Sequence, residues 1–152
     1  MNTTRVGFAL TGSFCTFEKV FEQIRELVAR GYDVVPILSY NAGQEENRFF
    51  TQEAIHQILE GITGKKPLTT LHEVEPIGPK KTLDIYVLAP ATGNSLGKLA
   101  NGVYDTPALL GAKSHLRNGR PVVIAVSTND GLALSAANIG KLLATDNVYF
   151  VP

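Results

Sequence analysis

Cysteine is almost absent from this sequence, which has one, Cys15, among 152 residues. A single thiol excludes an internal disulfide and a zinc site built from cysteines, and it is typical of a reducing compartment. Because a free cysteine usually behaves as a small apolar side chain, we expect Cys15 to be buried and unreactive.

An excess of charge of one sign is also missing, since 14 basic and 14 acidic side chains cancel. Nucleic acids and anionic membrane surfaces attract clustered Lys and Arg, so neither is expected as a partner. No apolar run approaches the roughly 20 residues of a membrane-spanning helix. Residues 1–10 lack the layout of a signal peptide. These absences predict a cytoplasmic protein.

Apolar side chains make up 44% of the sequence, enough for one domain over residues 1–152. Short apolar runs alternate with segments whose apolar residues recur at helical spacing. The predicted strands cover residues 5–10, 33–39, 83–89, 122–126 and 148–151. The predicted helices run from Phe17 to a stop at Gly31, from a cap at Thr51 to a stop at Gly61 and Gly64, from Ser95 through Val103, from a cap at Thr106 to near Gly119, and through Ile139, Leu142 and Leu143.

The strand runs are rich in Val, Ile and Leu and show no alternation of polar and apolar residues. Such strands are covered on both faces, as in parallel sheets joined by right-handed helical crossovers. We therefore predict an α/β, doubly wound, mostly parallel sheet of about five or six strands with helices on both faces, a Rossmann- or flavodoxin-like three-layer sandwich. Residues 43–46 are predicted to be a polar loop, and the proline-rich residues 65–81 an irregular stretch with a brief edge strand at 68–71.

Ligands of such sheets bind beyond the carboxyl ends of the strands, where the strand order reverses. The loops at this edge are rich in small polar residues and contain no Lys or Arg: residues 11–13, 39–41, 92–95 and 127–130. Gly12 and Ser13 precede a helix N-terminus, whose free N–H groups favour a phosphate. Taken alone, this loop is better explained by helix capping through Ser13 or Thr16 and a tight turn at Gly12.

The loop at residues 92–95 carries more hydrogen-bonding groups than one helix cap needs. Thr92, Asn94 and Ser95 offer donors and acceptors for a planar polar ligand, although Asn and Ser also serve purely local capping. Asp105, placed just before a helix, is expected to stabilise that helix N-terminus. Neither a Ser-His-Asp arrangement nor the spacing of metal ligands is present, so no catalytic residue and no metal site is predicted.

The sequence P-A-T-G-N-S at residues 90–95, followed by Lys98, Asn101 and Asp105, resembles the signature of the homo-oligomeric flavin-containing cysteine decarboxylase family of flavoproteins. Residues 11–13 resemble the first phosphate loop of that family. The resemblance implies an FMN whose phosphate meets Gly12, Ser13 and Ser39 and whose ribityl chain and ring lie along the loop at 92–95. The implied cofactor-binding residues are Thr11, Gly12, Ser13, Ser39, Thr92, Gly93, Asn94 and Ser95.

Residues 10–16 and 125–152 are most similar to one subfamily, which forms pyridine-2,6-dicarboxylate from a dihydro precursor in the mother cell of sporulating bacteria. This likeness implies an oxidoreductase component that binds a dicarboxylate through Ser127, Thr128 and Asn129. It also implies a dehydrogenase-like partner that uses NADP, and a trimer-based homo-oligomer. The alternative is a non-catalytic scaffold that binds and stabilises that partner.

The sequence departs from the family pattern at two positions, Pro76 and Thr128. The family's substrate loop has a Met before the Asn, where this sequence has Thr128 before Asn129. The family's decarboxylases carry a catalytic His shortly before the central strand, where this sequence has Pro76, so decarboxylation of cysteine is not expected. Members usually continue with another helix after the last strand, so we expect this chain to lack that C-terminal helix.

Overall fold

The computed structural model describes residues 2–44 and 49–152. Its centre is a five-stranded sheet in the order β2-β1-β3-β4-β5, in which every neighbouring pair is parallel. The strands are β1 (Arg5–Leu10), β2 (Asp33–Leu38), β3 (Ile85–Ala91), β4 (Val122–Val126) and β5 (Val148–Phe150). The strand order reverses between β1 and β3, which is the switch point where such sheets bind ligands.

Helices connect the strands. They are α1 (Phe17–Ala29), α2 (Tyr40–Gln44), α3 (Gln52–Thr63), α4 (Leu71–Val74), α5 (Gly93–Ala100), α6 (Pro107–Leu116) and α7 (Ala136–Leu143), with 3-10 turns at Phe14–Thr16 and Glu75–Ile77. Within the described residues no helix is long and apolar enough to cross a bilayer.

The core has one layer on each face of the sheet. On one face, Phe17 and Phe21 of α1 and Ile55 of α3 pack with apolar side chains of β1 and β2. On the other face, residues of α5, α6 and α7 pack against Tyr86, Ile124 and their neighbours on β3, β4 and β5. The predicted doubly wound α/β sandwich is confirmed, with five strands and a flavodoxin-like strand order.

Several predicted helix ends are correct and others need correction. Thr51 caps α3 by accepting the Ala54 N–H, and Gly64 ends that helix in the left-handed conformation, whereas Gly61 lies inside it. The helix expected to start at Ser95 starts two residues earlier, because Thr92 takes the cap position. Helix α6 ends at Leu116 and not near Gly119.

The two segments predicted as irregular contain short helices. Residues 40–44 form α2, so part of the predicted polar loop at 43–46 is helical, while 45 and 46 lie outside the described residues. Thr70 and Glu73 form a reciprocal capping box that starts α4. The edge strand expected at 68–71 is reduced to a single bridge between Ile37 and Leu68.

The sheet face beside α1 is only partly covered. Val87, Ala89, Ala125 and Val151 line an apolar groove of about 620 Å³ between that helix and the strands. No helix from the described residues fills this groove.

A buried histidine lies near the C-terminal end of α6, far along the chain from the polar loops. His115 is 1% exposed and stacks obliquely on Tyr86 with ring centroids 5.9 Å apart. Its Nε2 is buried and has no hydrogen-bond partner among the described residues. Burial lowers the pKa of His115, and the nearby positive charge of Arg120 lowers it further.

We expect the stability of the protein to fall as the pH drops below about 6.5, because the unfolded chain binds a proton at His115 more readily than the folded chain does. The slope from this group cannot exceed about 1.4 kcal/mol per pH unit. In urea unfolding measured from pH 5 to 7.5, the free energy of unfolding should change less with pH for His115→Gln than for the wild type. The exposed His72→Gln is the control, and equal slopes in all three proteins would contradict the assignment.

Candidate functional site

The loops after β1 and β3 are tied together at the switch point by the hydroxyl of Thr11. Thr11 Oγ1 donates to the Pro90 carbonyl at 2.6 Å and accepts from the Thr92 N–H at 3.1 Å. Thr11 is 1% exposed, so its bond to Pro90 is shielded from water, while its bond to Thr92 is partly buried. This bridge sets the spacing between the two loops.

A cavity of about 380 Å³ opens above that bridge. Its volume lies within the range of about 300–1,000 Å³ that small-molecule sites usually have. Most of its lining is polar and uncharged. The lining residues are Thr11, Gly12, Ser39, Tyr40, Asn41, Thr92, Asn94, Ser95, Lys98, Asp105, Thr106 and Leu109.

Six of the eight predicted cofactor-binding residues line this cavity, and the structure separates helix capping from the other roles of the loop at 92–95. Thr92 alone caps α5, since its Oγ1 accepts the Ser95 N–H at 3.2 Å and contacts Ser95 Oγ at 2.8 Å. Asn94 is exposed in the cavity, and its amide makes no side-chain hydrogen bond within the described part of the chain. Local capping therefore leaves the Asn94 amide for a ligand.

Ser39 lies at the opposite wall, at the end of β2. Its Oγ accepts the Ala42 N–H at 3.2 Å, which fixes the first turn of α2, and that bond does not use the hydroxyl proton. Asn41 packs beside Gly12, whose absent Cβ would lie 3.3 Å from Asn41 Cβ. A glycine at position 12 thus keeps this end of the cavity open.

An ion pair at the cavity wall was not anticipated from the sequence. Lys98 Nζ lies 3.0 Å from Asp105 Oδ1 and 3.2 Å from Oδ2, joining the second turn of α5 to the residue before the α6 cap. Asp105, expected only to stabilise a helix end, therefore also neutralises the one cation among the described lining residues. The family signature at residues 90–105 contains both Lys98 and Asp105, and it was the sequence feature that could have indicated this ion pair.

Ser13 and Gly93, the other two predicted cofactor-binding residues, do not line the cavity and instead contact the predicted substrate loop. Ser13 Oγ and Ser127 Oγ are hydrogen bonded at 2.7 Å. A Cβ on Gly93 would come within 3.1 Å of Thr128 Oγ1. The structure thus places Ser127 and Thr128 next to the cavity loops, while Asn129 is exposed.

Asp130, which was not a predicted site residue, organises the substrate loop. Its Oδ1 accepts hydrogen bonds from Thr128 Oγ1 at 2.6 Å and from Ser135 Oγ at 2.8 Å. These two hydroxyls lower the pKa of Asp130, which keeps the carboxylate ionised at neutral pH.

Cys15 is exposed, so the expectation of a buried thiol is wrong. It belongs to the 3-10 turn Phe14–Thr16, where no residue is buried. The apolar contacts at this point are made by Phe14, whose ring lies 5.2 Å from that of Phe17.

Comparison with known proteins decides the family. The Flavoprotein family profile matches residues 1–147. This chain belongs to the flavoprotein family. Among curated flavoproteins, the B component of dipicolinate synthase from Bacillus subtilis is 45% identical over 148 residues, which are 97% of this chain and 74% of that protein. The predicted resemblance to that subfamily, which this component represents, is confirmed.

Solved flavoprotein structures share the fold of this chain. The crystal structure of the dipicolinate synthase B component from Bacillus halodurans matches with a TM-score of 0.88 and 43% identity, covering 100% of this chain and 79% of that one. Burkholderia xenovorans DmrB in complex with FMN, a cubic protein cage for redox transfer, matches with a TM-score of 0.80 over 97% of this chain and 87% of its own. At 17% identity, the second likeness shows the shared fold only.

We expect Thr11→Val to destabilise this flavoprotein by about 1–3 kcal/mol, because the isosteric valine leaves the partly buried Thr92 N–H without its acceptor. Thr11→Ser keeps the hydroxyl and should lie much closer to the wild type. Urea unfolding monitored by circular dichroism measures the difference. Equal stability of the valine variant and the wild type would show that the two loops are held by other contacts.

Proposed function

We propose that this protein is the B component of a dipicolinate synthase and binds FMN in the switch-point cavity. The observation that carries the proposal is that cavity, lined by Gly12, Ser39 and Asn94, in a chain 45% identical to the Bacillus subtilis B component. FMN-bound DmrB, which shares the fold, supports the choice of cofactor.

The residues present fit an anionic, ring-bearing ligand. Hydroxyls, amides and backbone N–H groups at helix starts bind a phosphate without a cationic side chain. Only Leu109 among the described lining residues is a large aliphatic side chain, so no apolar plug from these residues fills the space. When bound, FMN would supply a ring system that accepts hydride or electrons, and the protein contributes binding and orientation.

The proposed reaction is the oxidation of a dihydrodipicolinate-type precursor to pyridine-2,6-dicarboxylate. In this proposal Ser127 and the exposed Asn129 donate side-chain hydrogen bonds to a carboxylate of the substrate. Thr128 contributes its backbone N–H, because its hydroxyl donates to Asp130. The A component of dipicolinate synthase is the proposed partner and brings NADP. The proposed setting is the cytoplasm of the mother cell of a sporulating bacterium.

Assembly with copies of the same chain, trimer-based, is also part of the proposal. Leu132 and Leu134, directly after the substrate loop, are 103% and 86% exposed, which is unusual for leucine. Burial of each side chain against another copy would contribute about 1.5–3 kcal/mol to the free energy of association. The two leucines are therefore suited to an interface between copies of the chain.

We expect Asn94→Leu to weaken FMN binding at least about tenfold, because the change removes the free amide and adds an apolar side chain to the cavity. Flavin fluorescence titration measures the affinity. Gln57→Leu is the matched control, since it makes the same kind of change on the exposed side of α3. Unchanged binding by the Asn94 variant would overturn the site assignment.

A scaffold without catalysis is the second candidate, and one observation favours it. Among the described residues lining the cavity there is no histidine or cysteine, and Lys98 and Asp105 neutralise each other. Co-expression with the A component of dipicolinate synthase separates the two functions. A yellow protein with flavin absorbance supports the oxidoreductase component, whereas a colourless protein that still co-purifies with the A component supports the scaffold.

A further inference from the structure

The loop from Asp130 to Ser135 is closed by a set of bonds that all converge on one residue. Besides the two hydroxyls on its carboxylate, Asp130 offers its carbonyl to the Ala133 N–H at 2.9 Å and to the Ser135 N–H at 3.2 Å. Ser135 is 4% exposed, and its bond to the half-buried carboxylate is partly shielded from water. Asp130 therefore determines the conformation of this loop.

Ser135 combines that bond with a helical backbone. It precedes the first residue of α7, and its φ of −77° and ψ of −12° lie in the helical region, whereas a capping residue is usually extended. Its hydroxyl makes no capping bond to α7 and donates to Asp130. The side chain of Ser135 therefore holds the loop and not the helix end.

The closed loop packs directly on the wall of the cavity. A Cβ on Gly93 would lie 3.1 Å from Ser135 Oγ, 3.1 Å from Thr128 Oγ1 and 3.4 Å from Asp130 Oδ1. Gly93 is the first residue of α5, between the lining residues Thr92 and Asn94. A carboxylate at this helix N-terminus is also favoured by the helix dipole.

The other end of the same loop is attached to the phosphate-side loop. Ser127 donates its N–H to the Ala91 carbonyl at 2.9 Å, and its hydroxyl bonds Ser13. Residues 127–129 are thus held between two fixed points, one at Ala91 and Ser13 and the other at Asp130.

We propose that Asp130 is a positioning residue, which holds Ser127, Thr128 and Asn129 in register with the cavity wall at Gly93 so that substrate and cofactor meet in one orientation. The proposal rests on the proposed function for the identity of both ligands. Asp130 acts through Thr128 and Ser135 and need not touch either ligand. An ionised carboxylate is suited to this role, since it accepts two hydroxyl donors on one oxygen.

The test compares Asp130→Ala and Asp130→Asn. Asparagine keeps an acceptor oxygen for Thr128 and Ser135 but loses the charge, whereas alanine loses both. FMN affinity is measured by fluorescence titration, and affinity for pyridine-2,6-dicarboxylate by the change in absorbance of the bound flavin. Backbone hydrogen exchange over residues 127–135 reports on the loop without any ligand.

For Asp130→Ala we expect FMN affinity within about twofold of the wild type, dicarboxylate affinity at least about tenfold weaker, and faster exchange in the loop, since each lost bond to a charged group is worth a factor of about ten or more. Asp130→Asn should restore dicarboxylate affinity to within about fivefold of the wild type, the cost of a lost helix-dipole charge. Asp146→Ala, an exposed aspartate in the turn before β5, is the matched control.

Unchanged dicarboxylate affinity in Asp130→Ala, or equal losses in the alanine and asparagine variants, would overturn the positioning role. If the wild type binds neither FMN nor the dicarboxylate, the proposed function fails. Backbone hydrogen exchange over residues 127–135 then decides whether Asp130 holds the loop, because that measurement needs no ligand. Faster exchange in the alanine variant alone retains Asp130 as the residue that fixes the loop, and wild-type exchange in both variants removes it.

Discussion

The candidate site depends on the contact between Thr11 and residues 90–92, where one hydroxyl adds two hydrogen bonds to a single backbone bond. Pairing between β1 and β3 runs to Ala9 and Leu88, and the pairing of β3 with β4 shifts between Leu88 and Ala91. Pro90, within that stretch, has no N–H to donate. Thr11 supplies both a donor and an acceptor at this point, so the loops separate above it while staying attached below it. The Thr11 N–H also donates to the Pro90 carbonyl at 3.2 Å, so backbone and side chain together fix the width of the cavity.

The cavity is lined mainly by neutral groups, and this has physical consequences for a ligand bound there. Lys98 is the only cation that lines it among the described residues, and it is engaged by Asp105. Binding should therefore rest on hydrogen bonds whose directions are set by helix starts and caps, and these are screened by salt less than interactions between exposed charges. Selectivity then comes from shape and from the positions of donors, in keeping with the balanced charge of the whole sequence.

Much of the fold could be predicted because buried parallel strands leave a clear signal. The run at 122–126 coincides with β4, and Thr106 and Pro107 mark the start of α6. The start of α5 could not be placed, because Thr92 and Ser95 are both good caps and only the folded backbone shows that Thr92 accepts the bond. Helix α4 was missed because the surrounding prolines hid the short capping box.

The same division applies to the site. Topology alone brings the strand-end loops together, so Gly12, Ser39 and Asn94 could be anticipated. Lys98 and Leu109 enter the cavity from helix interiors, and their positions depend on how α5 and α6 pack, which no spacing in the sequence reveals. Asp130 was missed because its partners Thr128 and Ser135 become neighbours only when the loop folds back on itself.

The turn at residues 130–135 runs into α7 without a break, because Ser135 already has helical backbone angles and its N–H bonds the Asp130 carbonyl. Helix α7 in turn meets the residue just beyond the end of α5, where Asn101 Nδ2 donates to Asn138 Oδ1 at 3.2 Å. Both ends of α5, whose first turn lines the cavity, are therefore in contact with one continuous segment, residues 127–143. A change in the conformation of that segment would be felt along the whole of α5.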